Sequence, residues 1–239
     1  MSFDHIIRSD IRISQPDKGF RFGVDSCILA WFASVKRKDA VLEIGAGSGV
    51  ISVLLAKLKG VKKIVSVELQ ESLYGHLLKS IEANGLQQAI APVHADIRLY
   101  KPNLPLDFII TNPPYRKRGT GFINADISKR SARFDGDMSL EDVFIFAGRY
   151  LRFGGKLAFS GVADRLADSI FLSRKHGMEP KHLQILYSSP RKKGKLFFLE
   201  SVYGGREGLQ IAPPLWAAEL NDCDSDSPYN LIMRGDWNV

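Results

Sequence analysis

Between residues 40 and 115 the chain repeats one pattern: a short apolar run, an acidic or amide residue near its end, then a turn. Ala40-Val-Leu-Glu-Ile-Gly45-Ala-Gly47-Ser-Gly49 leads into a helical Val50-to-Leu58 stretch, and Lys62-Lys-Ile-Val-Ser-Val-Glu68 leads into a helix that stops at Asn84-Gly85. Ala91-Pro-Val-His-Ala-Asp96 and Asp107-Phe-Ile-Ile-Thr-Asn-Pro-Pro-Tyr115 complete the series. Apolar strands that do not alternate are buried on both faces, and strands alternating with helices join through right-handed crossovers. The pattern therefore predicts an α/β, doubly wound parallel sheet. Ligands in such sheets sit at the carboxyl ends of the strands, and Glu43, Glu68, Asp96 and Asn112 all fall on that edge.

The first turn is a nucleotide-binding entry. Its glycines permit positive φ and let the backbone approach a ligand at a helix N-terminus. Val50 stands where the dinucleotide form needs its third glycine, so pyrophosphate is disfavoured. Glu43 before the glycines would repel a phosphate but could pair with a ligand's ammonium group. A carboxylate at the end of the second strand, Glu68, can accept both ribose hydroxyls of a nucleoside; the plainer reading is a charge at a helix start. Asp96 is placed to accept from an adenine amino group, while His94 reads as a packed strand histidine. Asp25 opens a helical stretch from Val24 to Val35 and reads as a helix-start charge that could also face the ligand.

The Asn-Pro-Pro-Tyr turn has its own chemistry. Two prolines fix their own φ and push their predecessors out of the α region, so Asn112 and Tyr115 are held rigidly. The Asn112 side-chain oxygen and the Pro113 carbonyl can each accept one hydrogen of an exocyclic NH2 group, while Tyr115 stacks on the ring that bears it. Pulling on both hydrogens tilts the nitrogen towards sp3 and exposes its lone pair. The turn resembles that of the amino-methyltransferases acting on adenine N6, cytosine N4, guanine N2 or glutamine amides, which use S-adenosylmethionine.

Charge points to a polyanion. The chain carries +7 overall, yet residues 206–239 set Arg206 and Arg234 against six acids, so the body is more basic still. Arg116, Lys117 and Arg118 follow the turn at once, in an aperiodic stretch reaching Asp137. Arg191, Lys192 and Lys193 sit between two late strands, 181–187 and Leu196-to-Tyr203, that read as a hairpin. Either cluster can be a solvated surface; two on one rim suit RNA, whose binding then depends on salt. Cys27 and Cys223 have no neighbouring ligand pairs, so no zinc site or disulfide framework is expected. No apolar run matches a membrane span and the N-terminus lacks a signal-peptide core, so a cytoplasmic protein is expected.

The remaining elements follow from local signals. Ile11 and Ile13 before Gln15-Pro-Asp-Lys-Gly19, with Phe20 and Phe22 after it, predict a hairpin. Ser139-Leu-Glu-Asp142 predicts a capped helix running to Gly154-Gly155, then a strand over 156–160 and a helix over 163–175. Three parts are expected: an N-terminal hairpin and helix over 1–38, a core over 39–204, and a loosely attached extension over 205–239.

Taken together, Phe22-Gly-Val-Asp25, Glu43-to-Gly49, Val67-Glu68, Asn84-Gly85, Ala95-Asp96 and Asp107-to-Tyr115 resemble the bacterial tRNA adenine-N6 methyltransferases that modify the adenosine beside the anticodon of a valine tRNA. The likeness covers roughly residues 5–204. Two departures stand out: Gly23-Val-Asp25 for the usual Gly-Thr-Asp, and Arg116 where an aromatic residue is common. The resemblance implies the seven-stranded class I methyltransferase sheet with its last strand antiparallel and S-adenosylmethionine as cofactor. Glu43, Gly45 and Gly47 would line the methionine end, Glu68 the ribose and Asp96 the adenine, with Asn112, Pro113 and Tyr115 holding the target base. Neither a metal nor a membrane is implied.

Overall fold

The computed structural model describes residues 3–5, 10–16, 21–113, 138–217 and 227–237. A mostly parallel sheet forms its centre. In chain order its main strands are β3 (Ala40–Ile44), β4 (Lys63–Glu68), β5 (Ile90–His94), β6 (Leu106–Thr111), β7 (Leu151–Val162), β8 (Met178–Tyr187) and β9 (Gly194–Tyr203). Their spatial order is β8-β9-β7-β6-β3-β4-β5, and β9 alone runs antiparallel, between β7 and β8. These seven strands match the expected architecture.

Successive side chains of a strand point to opposite faces, and here both faces are covered. Val41, Phe108, Ile110, Ala158 and Phe198 pack against α1 (Val24–Phe32), α2 (Val50–Leu58) and α3 (Glu71–Ala83). Leu42, Ile109, Leu157, Phe159, Phe197 and Leu199 face α4 (Leu140–Tyr150) and α5 (Leu166–Lys175). Phe108, Ile109 and Ile110 are all wholly buried, which is why β6 reads as an unbroken apolar run. A reciprocal capping box starts α4: Ser139 Oγ accepts from the Asp142 backbone N–H and the Asp142 carboxylate accepts from that of Ser139.

Several boundaries differ from expectation. The N-terminal hairpin pairs β1 (Phe3–His5) with β2 (Arg12–Ser14), so its turn precedes Ile13 rather than following it. Ser14 and Arg12 are drawn onto α3 instead, through Ser80 Oγ and the Asn84 amide. The helix expected to reach Gly154 stops at Tyr150, because Leu151 already pairs with Leu106 across a register irregularity. Beyond Gly204, β10 (Gln210–Ile211) and β11 (Leu215–Trp216) pair in parallel with β8, widening the sheet to nine strands. Trp216 packs on Tyr187 with ring centroids 4.8 Å apart, and α6 (Pro228–Arg234) buries Tyr229 and Ile232 in the core beside α1. In its described residues the extension is thus an integral layer, not a loose tail. Runs of two residues leave no periodicity from which this could be read.

Candidate active site

The glycine loop joins β3 to α2 and is held by its neighbours. Gly45 and Ala46 both donate to the Val67 carbonyl, at 2.9 and 3.0 Å, while Gly45, Gly47 and Gly49 adopt φ of 67°, 56° and 85°. That left-handed region is costly for a residue with a Cβ. At Gly45 an added Cβ would meet nothing within 4 Å, because the space beside it is an open cleft. Phe22, Ser26, Glu43, Gly45, Gly47 and Asn112 are among the residues that line this cleft.

Two buried carboxyl groups govern its electrostatics. Glu43, 2% exposed, accepts from the Ser52 backbone N–H at 3.1 Å and from the Ser52 hydroxyl. Burial pushes its carboxyl up to about 8, outweighing those two bonds, and nearby Glu68 pushes the same way. Glu68, 5% exposed, anchors the loop: its two oxygens accept from the Gly47 and Gln70 backbone N–H groups, each at 2.7 Å. Each carboxylate oxygen has a second lone pair, so Glu68 can bind hydroxyls while keeping this anchorage. Two carboxyl groups around a glycine loop offer acceptors for a ligand that carries amino and hydroxyl groups.

Asp96 lies in the turn after β5 and is engaged by Arg98, whose Nε donates to both carboxylate oxygens at 2.9 and 3.0 Å. Those bonds, with the guanidinium charge, hold its carboxyl below the usual carboxylate range. Asp25 accepts from the Ser26 backbone N–H at 3.0 Å in the first turn of α1, the helix-start role. It is not among the residues lining the cleft.

The amide turn meets the glycine loop directly. Thr111, the last residue of β6 and wholly buried, donates its hydroxyl to the Ile44 carbonyl at 2.9 Å. This links the end of β6 to the end of β3 just where Asn112 and Gly45 leave the sheet. The Asn112 Nδ2 donates to Ser26 Oγ at 3.0 Å, and its Oδ1 accepts from Ser160 Oγ at 2.6 Å. Pro113 follows, half-buried. Tyr115, Arg116, Lys117 and Arg118 lie outside the described residues.

Arg191, Lys192 and Lys193 are exposed at the β8–β9 tip. Because β8 runs with β6 and β7, that tip lies at the same edge of the sheet as Asn112. Sequence reasoning missed Phe22, Ser26, Ser52 and Ser160. Only Phe22 stood in a recognisable motif; a serine at a strand end or in a helix carries no signature of its partner.

A larger cavity, about 510 Å³, is lined by Trp31, Lys59, Glu200 and Trp237 among others and shares no lining residue with the cleft. Lys59 there donates to the Trp31 and Ala33 carbonyls at the end of α1, and Glu200 accepts from Ser34 and Lys156. Burial pushes the Lys59 ammonium down to about 8. Among the described residues no His, Cys, Asp and Glu side chains gather as a metal site, and no helix is long and apolar enough to cross a membrane.

Comparison with known proteins agrees with this geometry. The family described as TRM5/TYW2 methyltransferase domain matches residues 29–133. A tRNA1(Val) (adenine(37)-N6)-methyltransferase of Aeromonas hydrophila is 29% identical over 63% of the chain and 62% of its own length. One of Tolumonas auensis is 30% identical over 61% of each. The chain thus spans about three fifths of the length of these curated relatives. A crystal structure of a predicted O-methyltransferase from Agrobacterium tumefaciens superposes with a TM-score of 0.65 at 18% identity, covering 88% of this chain and 96% of that one. The chain has the class I methyltransferase fold, and over about three fifths of its length its sequence is similar to the tRNA1(Val) (adenine(37)-N6)-methyltransferases.

Proposed function

We propose that this protein transfers a methyl group from S-adenosylmethionine to the exocyclic N6 of an adenine in tRNA, with the adenosine beside the anticodon of a valine tRNA as its target. The observation that carries the proposal is the contact between the two turns: Thr111 Oγ1 on the Ile44 carbonyl sets Asn112 beside the glycine loop. The curated relatives named above supply the substrate class.

The residues fit the cofactor. Gly45 opens onto free space with a positive φ, and Glu43 and Glu68 offer carboxyl groups suited to an ammonium group and to ribose hydroxyls. Asp96 would receive the adenine end. The sulfonium, when bound, supplies an already activated methyl group, so the chain needs no covalent intermediate. Its own task is alignment and exclusion of water. Asn112 Oδ1 and the Pro113 carbonyl accept the two amino hydrogens of the target, and Tyr115 stacks on its ring. The base must leave its stack to reach them, which favours a loop nucleotide.

We assign residues 39–204 to the methyltransferase domain, with 1–38 and 205–239 built onto it, and RNA contact to Arg116, Lys117, Arg118, Arg191, Lys192 and Lys193. A tRNA substrate supports a cytoplasmic location. The test mixes protein, labelled cofactor and unmodified tRNA, then analyses nucleosides by mass spectrometry. N6-methyladenosine is the expected product; intact cofactor binding with no label in RNA would refute the activity.

A further inference from the structure

Asn112 is gripped at both ends of its amide. Nδ2 donates to Ser26 Oγ at 3.0 Å, and Oδ1 accepts from Ser160 Oγ at 2.6 Å. The two serines come from remote parts of the chain. Ser26 stands in the first turn of α1 and itself lines the cleft, and Ser160 lies near the carboxyl end of β7. Both are buried, at 6% and 1% exposure. Ser160 follows Phe159, the register partner of Thr111, so the ladder itself delivers its hydroxyl beside Asn112.

The chemistry of an amide makes this grip consequential. The last torsion of an asparagine side chain is broad and roughly two-fold, so an unconstrained amide turns readily about it. Rotated by half a turn, Asn112 would present NH2 to an incoming amino group, donor against donor. We propose that Ser26 and Ser160 are positioning residues that set the plane and sense of the Asn112 amide, with its oxygen towards β7 and its nitrogen towards α1. The amide oxygen has two lone pairs, so accepting from Ser160 does not exhaust its capacity for the target's amino hydrogen. The clamp rests on the reading of Asn112 as the acceptor for that amino group. It extends that reading by making the orientation depend on α1 and β7 as well as on the turn.

Steady-state methylation of unmodified tRNA by Ser160→Ala, Ser160→Thr and Ser26→Ala tests the clamp. Ser160→Ala is expected to lower kcat roughly 3- to 10-fold, the size of one neutral hydrogen bond. KM for tRNA, cofactor affinity and Tm should hold, and Ser160→Thr, which keeps the hydroxyl, should recover rate. Ser26→Ala should act in the same direction. If Ser160→Ala does not fold, Ser160→Cys, with a similar shape and a weaker donor, takes its place in the comparison. The clamp is refuted if kcat is unchanged, or if kcat, KM and Tm fall together with no recovery in Ser160→Thr. A wild-type protein that methylates no tRNA refutes the proposed activity instead, and the clamp with it.

Discussion

At the scale of single residues, the proposed function separates the site into groups that would hold a ligand and groups that hold those groups. Asn112 belongs to the first kind. Asn112→Ala should abolish methyl transfer while changing cofactor affinity little, a combination that calorimetry and a radiolabel assay can read together; transfer at the wild-type rate would remove Asn112 from its role. Glu43 makes a pH-dependent prediction. Its carboxyl, raised from about 4.5 to about 8 by burial, is largely protonated at neutral pH in the ligand-free protein. A cationic ligand needs the carboxylate, so binding below pH 8 should release a proton, and affinity should weaken as pH falls from 8 to 6. Calorimetry in buffers of different ionisation enthalpy measures that release, which Glu43→Gln should eliminate. The stability sign follows from the same shift. The folded chain binds this proton more tightly than the unfolded one, so Glu43 is harmless below about pH 4.5 and costs progressively more up to about 8. Glu43→Gln should therefore raise Tm relative to wild type at pH 8 more than at pH 5.

At the scale of elements, legibility tracked periodicity and punctuation. Phe108-Ile-Ile110 announced a doubly buried strand, and Ser139 with Asp142 announced a helix start, since each signal lies within a few consecutive residues. The four ligand-edge residues Glu43, Glu68, Asp96 and Asn112 were placed by one rule about strand ends. Pairings between distant segments left no such mark. Nothing local in Ser26 or Ser160 tells that they meet at one amide, and nothing near Arg12 tells that Asn84 will receive its backbone. The β8–β9 tip is where an element-scale prediction belongs. Replacing Arg191, Lys192 and Lys193 together by alanine should weaken RNA binding and flatten its dependence on salt, by about 0.7 in logarithmic slope for each phosphate no longer neutralised. Nitrocellulose filter binding across a salt series gives that slope; an unchanged one excludes the tip from the interface.

At the scale of the whole molecule, both termini of the described chain lie against the helices of one face. The N-terminal strand β2 is bonded to α3, and the C-terminal helix α6 buries Tyr229 beside α1. A fully buried aromatic side chain in such a place has a large effect: Tyr229→Ala should destabilise the protein by about 3 kcal/mol, seen as a lower urea midpoint. A midpoint equal to that of wild type would mean that the segment after Gly204 is a passenger. Because α1 also carries Ser26, loosening this face should reach the amide turn from behind.

The hydroxyl of Thr111 on the carbonyl of Ile44 has one more effect. It bolts together the tips of two adjoining strands, and adjoining strands stand roughly 4.8 Å apart in any sheet. On the proposed reaction, donor and acceptor therefore share a gauge set by backbone pairing. Evolution or engineering of this protein towards another amine would have to proceed by turning the recipient within a fixed gap, not by moving it nearer.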